Sequence, residues 1–180
     1  GELDGLEVLK CYGFNVLATE LATSPEQAAD IAEKIGFPVV MKIVSPQIIH
    51  KSDAGGVKVG LQNGQEVKEA FASIVNSAGN YNPDAEITGV LVQKMAPSGH
   101  EVIVGANRYP VFGPLLMFGL GGVFVELFKD VTFRLAPIGR NEARSMIHNI
   151  KGIKMLQGFR GAPEADMECL EKTMVCLSDM

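Results

Sequence analysis

The chain has 180 residues, 47% of them hydrophobic and 21% charged, and carries a net charge of −5. That length and apolar share can bury a sizeable core and exclude a disordered chain, while the acidic balance and the lack of any Lys/Arg-dense block exclude a nucleic-acid partner. Three cysteines, Cys11, Cys169 and Cys176, without C-x-x-C spacing give neither a disulfide framework nor a thiolate metal site, and fit a cytoplasmic setting.

Residues 1–10 mix acidic and apolar side chains with no basic segment leading into an apolar one, which argues against a signal peptide. Ser24, Pro25 and Gln27 form an N-cap, a first-turn proline and a capping-box partner. Ala28, Ile31, Ala32 and Ile35 then recur at helical spacing until Gly36 stops them. The apolar run PVVMKIV, 38–44, predicts a buried strand carrying one lysine, Lys42. A polar, glycine-bearing loop, SPQIIHKSDAGG, follows at 45–56. Val57, Val59 and Leu61 alternate with polar or small residues, predicting a half-buried strand that pairs back on the first. Val67, Phe71, Ile74 and Val75 share one helical face ending near Gly79, and 81–86 is a turn-rich connector.

Two further strands, 88–95 and 101–106, are joined by small residues, so a first lobe over 1–96 and a second over 97–180 are expected. In the second lobe the patterns predict strands at 115–118, 123–128 and 131–136. A helix with Ala143, Met146, Ile147 and Ile150 inward follows, and a last helix covers 165–178. The run 111–128 is long enough to suggest a membrane span, but Pro114, four glycines and Glu126 break it into strand, glycine turn and strand, so no membrane partner is expected. Helical and strand periods alternate throughout, which means a mixed α+β chain.

Lys42 is the first residue out of place, because an ammonium inside an apolar strand needs an anion or a hydrogen-bond partner. Either something negative sits beside it or its head reaches solvent from an edge strand. Ala54, Gly55 and Gly56 lack bulk, so their N–H groups can converge on one anion as a phosphate nest; an ordinary glycine turn is the alternative. No Walker A or G-x-G-x-x-G motif is present. His50, beside Lys51, Ser52 and Asp53, is placed to act as acid, base or phosphoryl acceptor, or simply to hydrogen-bond its loop. The loop's small and polar residues suggest that it moves, with Lys51 offsetting phosphoryl charge. Glu126 lies in an apolar run and Arg134 at an alternating position of the next strand. Each can face a cleft while its neighbours face the core, where with Lys42 they are candidate catalytic residues supplying charges of both signs suited to Mg-nucleotide, or the two can form an internal ion pair.

The strings SPQIIHKSDAGGVKVGL, GVLVQKMAPSGHEVIVGA and FGPLLMFGLGGVFVELFKDVTFRLAP, in that order, closely resemble the ATP-grasp domain of ADP-forming acetyl-CoA or acyl-CoA synthetases. The resemblance runs from YGFNV near the start to MLQGFRGAP. It implies an ATP-grasp fold in which two α+β lobes clamp ATP or ADP. It places Lys42 on the α and β phosphates and Gly55 and Gly56 over them, puts Gln93, Lys94, Met95 and Ala96 on the adenine-edge strand, and makes Glu101 the ribose carboxylate. The reaction implied interconverts acyl-CoA, ADP and phosphate with acid, CoA and ATP through a phosphohistidine on CoA-binding and ligase domains that would be the partners. His50 would then move phosphate between nucleotide and phosphohistidine. The main Mg²⁺ ligands are implied to lie past Met180, in a D-x-N-P-L strand and a further acidic strand. On that reading no metal ligand is assigned in this chain, Glu126 is a nearby acidic residue, and the piece alone is inactive. Similar segments also resemble regulatory ATP-grasp modules of protein acetyltransferases, and a scaffold without nucleotide is a weaker third reading.

Overall fold

A computed structural model describes the chain apart from Val123 and the side chains of Phe124 and Glu126. It divides into two units, Gly1–Pro97 and Ser98–Met180.

The first unit runs α1 (Glu2–Cys11), β1 (Thr19–Ala22), α2 (Pro25–Ile35), β2 (Val39–Val44), β3 (Val57–Leu61), α3 (Gly64–Tyr81) and β4 (Gly89–Lys94). Its four strands form an antiparallel sheet in the order β1-β4-β2-β3. The start of α2 is fixed as its residues dictate: Ser24 Oγ accepts the Gln27 N–H at 3.2 Å, and Gln27 Oε1 accepts the Thr23 N–H at 2.8 Å. At α3, Asn63 accepts the Glu66 N–H at 3.0 Å while Glu66 accepts the Gln62 N–H at 2.8 Å. Both helices cover one face of the sheet, burying Ala28, Ala32, Val67 and Ile74 against Met41, Ile43, Val90 and Val92. On the opposite face, α1 places Leu3 in a shared cavity with Leu21, Val44 and Leu91. No residue of α1 is buried, which is why its pattern carries no signal.

The second unit runs β5 (Val102–Tyr109), β6 (Gly113–Leu120), β7 (Val131–Leu135), α4 (Arg140–His148), α5 (Ile153–Leu156) and α6 (Met167–Ser178), with strand order β5-β6-β7. Leu116, Phe118 and Leu120 pack against Ala143, Met146, Ile147 and Met174. Between α6 and α4, Glu171 accepts hydrogen bonds from Arg140 and Arg144, each at 2.7 Å. Those bonds, Arg144's first, hold its carboxyl well below the usual range, at about 2.

The strand expected over 123–128 is corrected: Phe124–Phe128 form a π-helical turn, and Val123 lies outside the described residues. The chain turns at Gly121 and Gly122, and Gly122 at φ +58° takes a left-handed conformation that ends β6. An apolar run this short suits a strand or a helical turn equally well. Among the described residues no helix is long and apolar enough to cross a membrane.

Candidate functional site

Along β2 the side chains alternate: Val39, Met41 and Ile43 enter the core, while Val40, Lys42 and Val44 lie on the other face. Antiparallel pairing sets Gln93 opposite Val40 on β4 and Thr19 opposite Gln93 on β1. Lys42 Nζ donates to Gln93 Oε1 at 2.9 Å, Gln93 Nε2 donates to Thr19 Oγ1 at 2.9 Å, and Thr19 Oγ1 donates to the Leu17 carbonyl at 2.9 Å. Of the two partners expected for Lys42, an anion or a hydrogen-bond acceptor, the chain itself supplies the second. A neutral amide and partial exposure satisfy the half-buried ammonium, and among the described residues no carboxylate pairs with it. Thr19 has no motif around it and was invisible in the sequence.

The loop 45–56 is pinned, not loose, because Ile48 and Ala54 are 1% and 4% exposed in the core. Its N–H groups do not form the expected nest. Ala54 N–H donates to the His50 carbonyl, Gly55 N–H to Ser52 and Gly56 N–H to Lys51, at 3.3, 3.0 and 2.8 Å. Glycine is required at 56 for space, since a Cβ there would lie 2.4 Å from Ile43 Cγ2. His50 is exposed, and its ring has no partner among the described residues. Lys51 is committed to an ion pair with Glu2 of α1, so the charge expected to meet a phosphoryl group is already compensated.

Lys94 points to the helix-covered side, where its ammonium donates to the Gly36 and Phe37 carbonyls at 2.8 Å each, just past the end of α2. Met95 and Ala96 are exposed, with the Met95 N–H donating to the Pro38 carbonyl at 3.1 Å.

In the second unit Glu101 is exposed, and its carbonyl accepts the Gly121 N–H at 2.8 Å. Its carboxylate lies over Gly122, where a Cβ would come within 3.1 Å of Oε2. These residues line a cavity of about 240 Å³ with His100 and Met155. Two positions shape it, His100, which the sequence offers only as an ordinary loop histidine, and Asp130, which it does not single out. His100 Nε2 bonds the Pro163 carbonyl at 2.7 Å, and buried Asp130 accepts the Lys151 and Gly152 N–H groups at 2.8 and 2.7 Å, fixing the turn that carries Met155. Neither bond has a local sequence signature.

Arg134 is oriented otherwise than expected. It pairs with Leu116 on the helix-covered face and donates to the Phe133 carbonyl at 2.8 Å, while Phe133 and Leu135 lie on the open face. The expected parity was inverted. The side chain of Glu126 lies outside the described residues, so the Glu126–Arg134 pair is not described. Among the described residues no three His, Cys, Asp or Glu side chains gather at one point, so these residues do not form a magnesium cage.

The model of the ATP-grasp domain matches residues 1–180. The chain is 50% identical over 99% of its length to the beta subunit of ADP-forming acetate–CoA ligase I of Pyrococcus furiosus, covering 77% of that subunit. It is 52% identical over 99% of its length to the ADP-forming 4-hydroxybutyrate–CoA ligase of Nitrosopumilus maritimus, of which it spans only 26%. Its fold matches, with a TM-score of 0.94 and 48% identity over 97% of this chain and 76% of the other, the acetyl-coenzyme A synthetase 1 of Ca. Korarchaeum cryptofilum solved with coenzyme A, Ca-AMPCP and HgCl+. With the family model covering the whole chain and relatives at half identity, the chain belongs to the ATP-grasp family, among the ADP-forming acyl-CoA ligases.

Proposed function

We propose that the chain is the nucleotide-handling part of an ADP-forming acyl-CoA ligase, working with CoA-binding and phosphohistidine-bearing domains in the cytoplasm. The observation that carries this reading is Lys42, a half-buried cation whose acceptor is neutral. An ammonium held by an amide keeps its full charge for an incoming anion, whereas one paired with a carboxylate does not. In the first unit Lys42 takes the phosphates and the backbone of 93–96 takes the adenine edge; in the second, Glu101 offers over its own glycine turn a carboxylate of the kind that takes ribose hydroxyls.

His50 presents an exposed imidazole at the loop before Gly55 and Gly56. A ring nitrogen lone pair attacks the phosphorus of the partner's phosphohistidine, so one N–P bond forms as the other breaks. A terminal oxygen of ADP then attacks the carried phosphoryl group, giving ATP and restoring the imidazole. Magnesium would neutralise phosphate charge when bound, but the described residues supply no cage for it.

The test is Lys42→Met in the full-length enzyme, with nucleotide affinity measured by titration. Loss of a charge-assisted contact worth about 1.5–3 kcal/mol weakens ATP roughly ten-fold or more. Unchanged affinity in a variant with native circular dichroism refutes the reading.

A further inference from the structure

The Lys42–Gln93–Thr19 chain has only one self-consistent direction. An ammonium donates and never accepts, so the Gln93 atom facing Lys42 must be Oε1. The other end of the amide is then the NH₂ group, which only donates, so Thr19 Oγ1 accepts from it. The threonine hydrogen is left for the Leu17 carbonyl. Each link joins neighbouring strands: Thr19 on β1, Gln93 on β4 and Lys42 on β2. A flipped amide would set NH₂ against ammonium, donor against donor.

We propose that Thr19 is a positioning residue for the nucleotide phosphates: its hydroxyl fixes the Gln93 amide, which in turn holds the Lys42 ammonium in place without neutralising it. The inference rests on the nucleotide reading of Lys42 given above. Without the hydroxyl, the part-buried Nε2 loses its acceptor and the amide rotates to find another, taking Oε1 away from Lys42. A carboxylate at 93 would hold Lys42 as firmly but pair with its charge, leaving less for phosphate. The glutamine therefore separates two properties, placement and neutralisation, that a glutamate would join.

The experiment uses the full-length enzyme and measures the dissociation constants of ATP, ADP and adenosine by competition against a fluorescent nucleotide. It compares Thr19→Val, Thr19→Ser, Gln93→Glu and Lys42→Met with the unsubstituted protein. Thr19→Val is expected to weaken ATP and ADP roughly three- to ten-fold with adenosine unchanged, and Thr19→Ser, which keeps the hydroxyl, to restore both. Thr19→Val added to Lys42→Met should cost nothing further, because both act on one contact. Gln93→Glu, which does not depend on how Thr19→Val folds, should also weaken ATP and spare adenosine. The proposal is overturned if Thr19→Val binds ATP normally, if adenosine weakens as much as ATP, or if the Thr19 and Lys42 effects add. Lys42→Met weakening ATP while Thr19→Val does not would sink this inference alone. Lys42→Met leaving ATP unchanged would sink the nucleotide reading, and this inference with it.

Discussion

Gly56→Ala is the substitution whose consequence the geometry fixes most closely. The new Cβ would lie 2.4 Å from Ile43 Cγ2 and 2.9 Å from the Lys51 carbonyl oxygen, both far inside van der Waals contact. Ile43 is fully buried and β-branched, so its Cγ2 has no free rotamer to retreat into. The backbone must yield instead, and it is held there by two hydrogen bonds, Ile43 N–H to the Gly56 carbonyl at 2.7 Å and Gly56 N–H to the Lys51 carbonyl at 2.8 Å. Overpacking costs about 1–3 kcal/mol, and a weakened backbone bond adds about 0.5–1.5 kcal/mol. For a unit of this size the sum lowers Tm by on the order of 10 °C or more. Thermal melting followed by circular dichroism reads it directly. Ile43→Ala removes the colliding Cγ2 at its own cost of about 2–5 kcal/mol, so the double variant should lose less than the two single losses added together. A Gly56→Ala protein that melts with the parent, or strictly additive losses, would refute the packing argument.

Glu171 gives a pH dependence whose sign is determined. Its folded pKa of about 2 lies below its ordinary 4.5, so its stabilisation is complete above about 4.5 and is lost as pH falls toward 2. Tm of the second unit should fall through that window and Glu171→Gln should flatten the fall; parallel curves would dismiss the role, once the smaller share of Glu168, also held low by Lys172 and Arg140, is removed in both proteins. His50→Ala in the full-length enzyme should abolish phosphoryl exchange into ATP with nucleotide affinity intact; normal turnover, or failure through lost ATP binding, removes the relay.

Local signals were legible wherever the physics is local. The cap at Ser24 and the period of α2 needed only neighbouring residues, and Lys42 stood out as one cation in an apolar strand. Its acceptor did not, because Gln93 is 51 positions away and Thr19 a further 74 positions from Gln93, joined to it only by strand pairing. Composition suggested a nest at 54–56 but could not show that Ile48 and Ala54 anchor the loop in the core and turn its N–H groups inward. In β7 alternation was visible, but which parity faces the helices is decided by register with β6, where Arg134 pairs with Leu116 and Thr132 with Phe118. That assignment carries its own test. Phe118 is fully buried and Phe133 is 46% exposed, although both are phenylalanines on neighbouring strands. Phe118→Ala should cost about 3–5 kcal/mol, and Phe133→Ala less than about half of that, since much of its ring already meets water. Chemical denaturation of the two variants compares them directly. Equal losses would mean that the open face is packed as tightly as the helix-covered one, and the parity assigned to Arg134 would have to be abandoned.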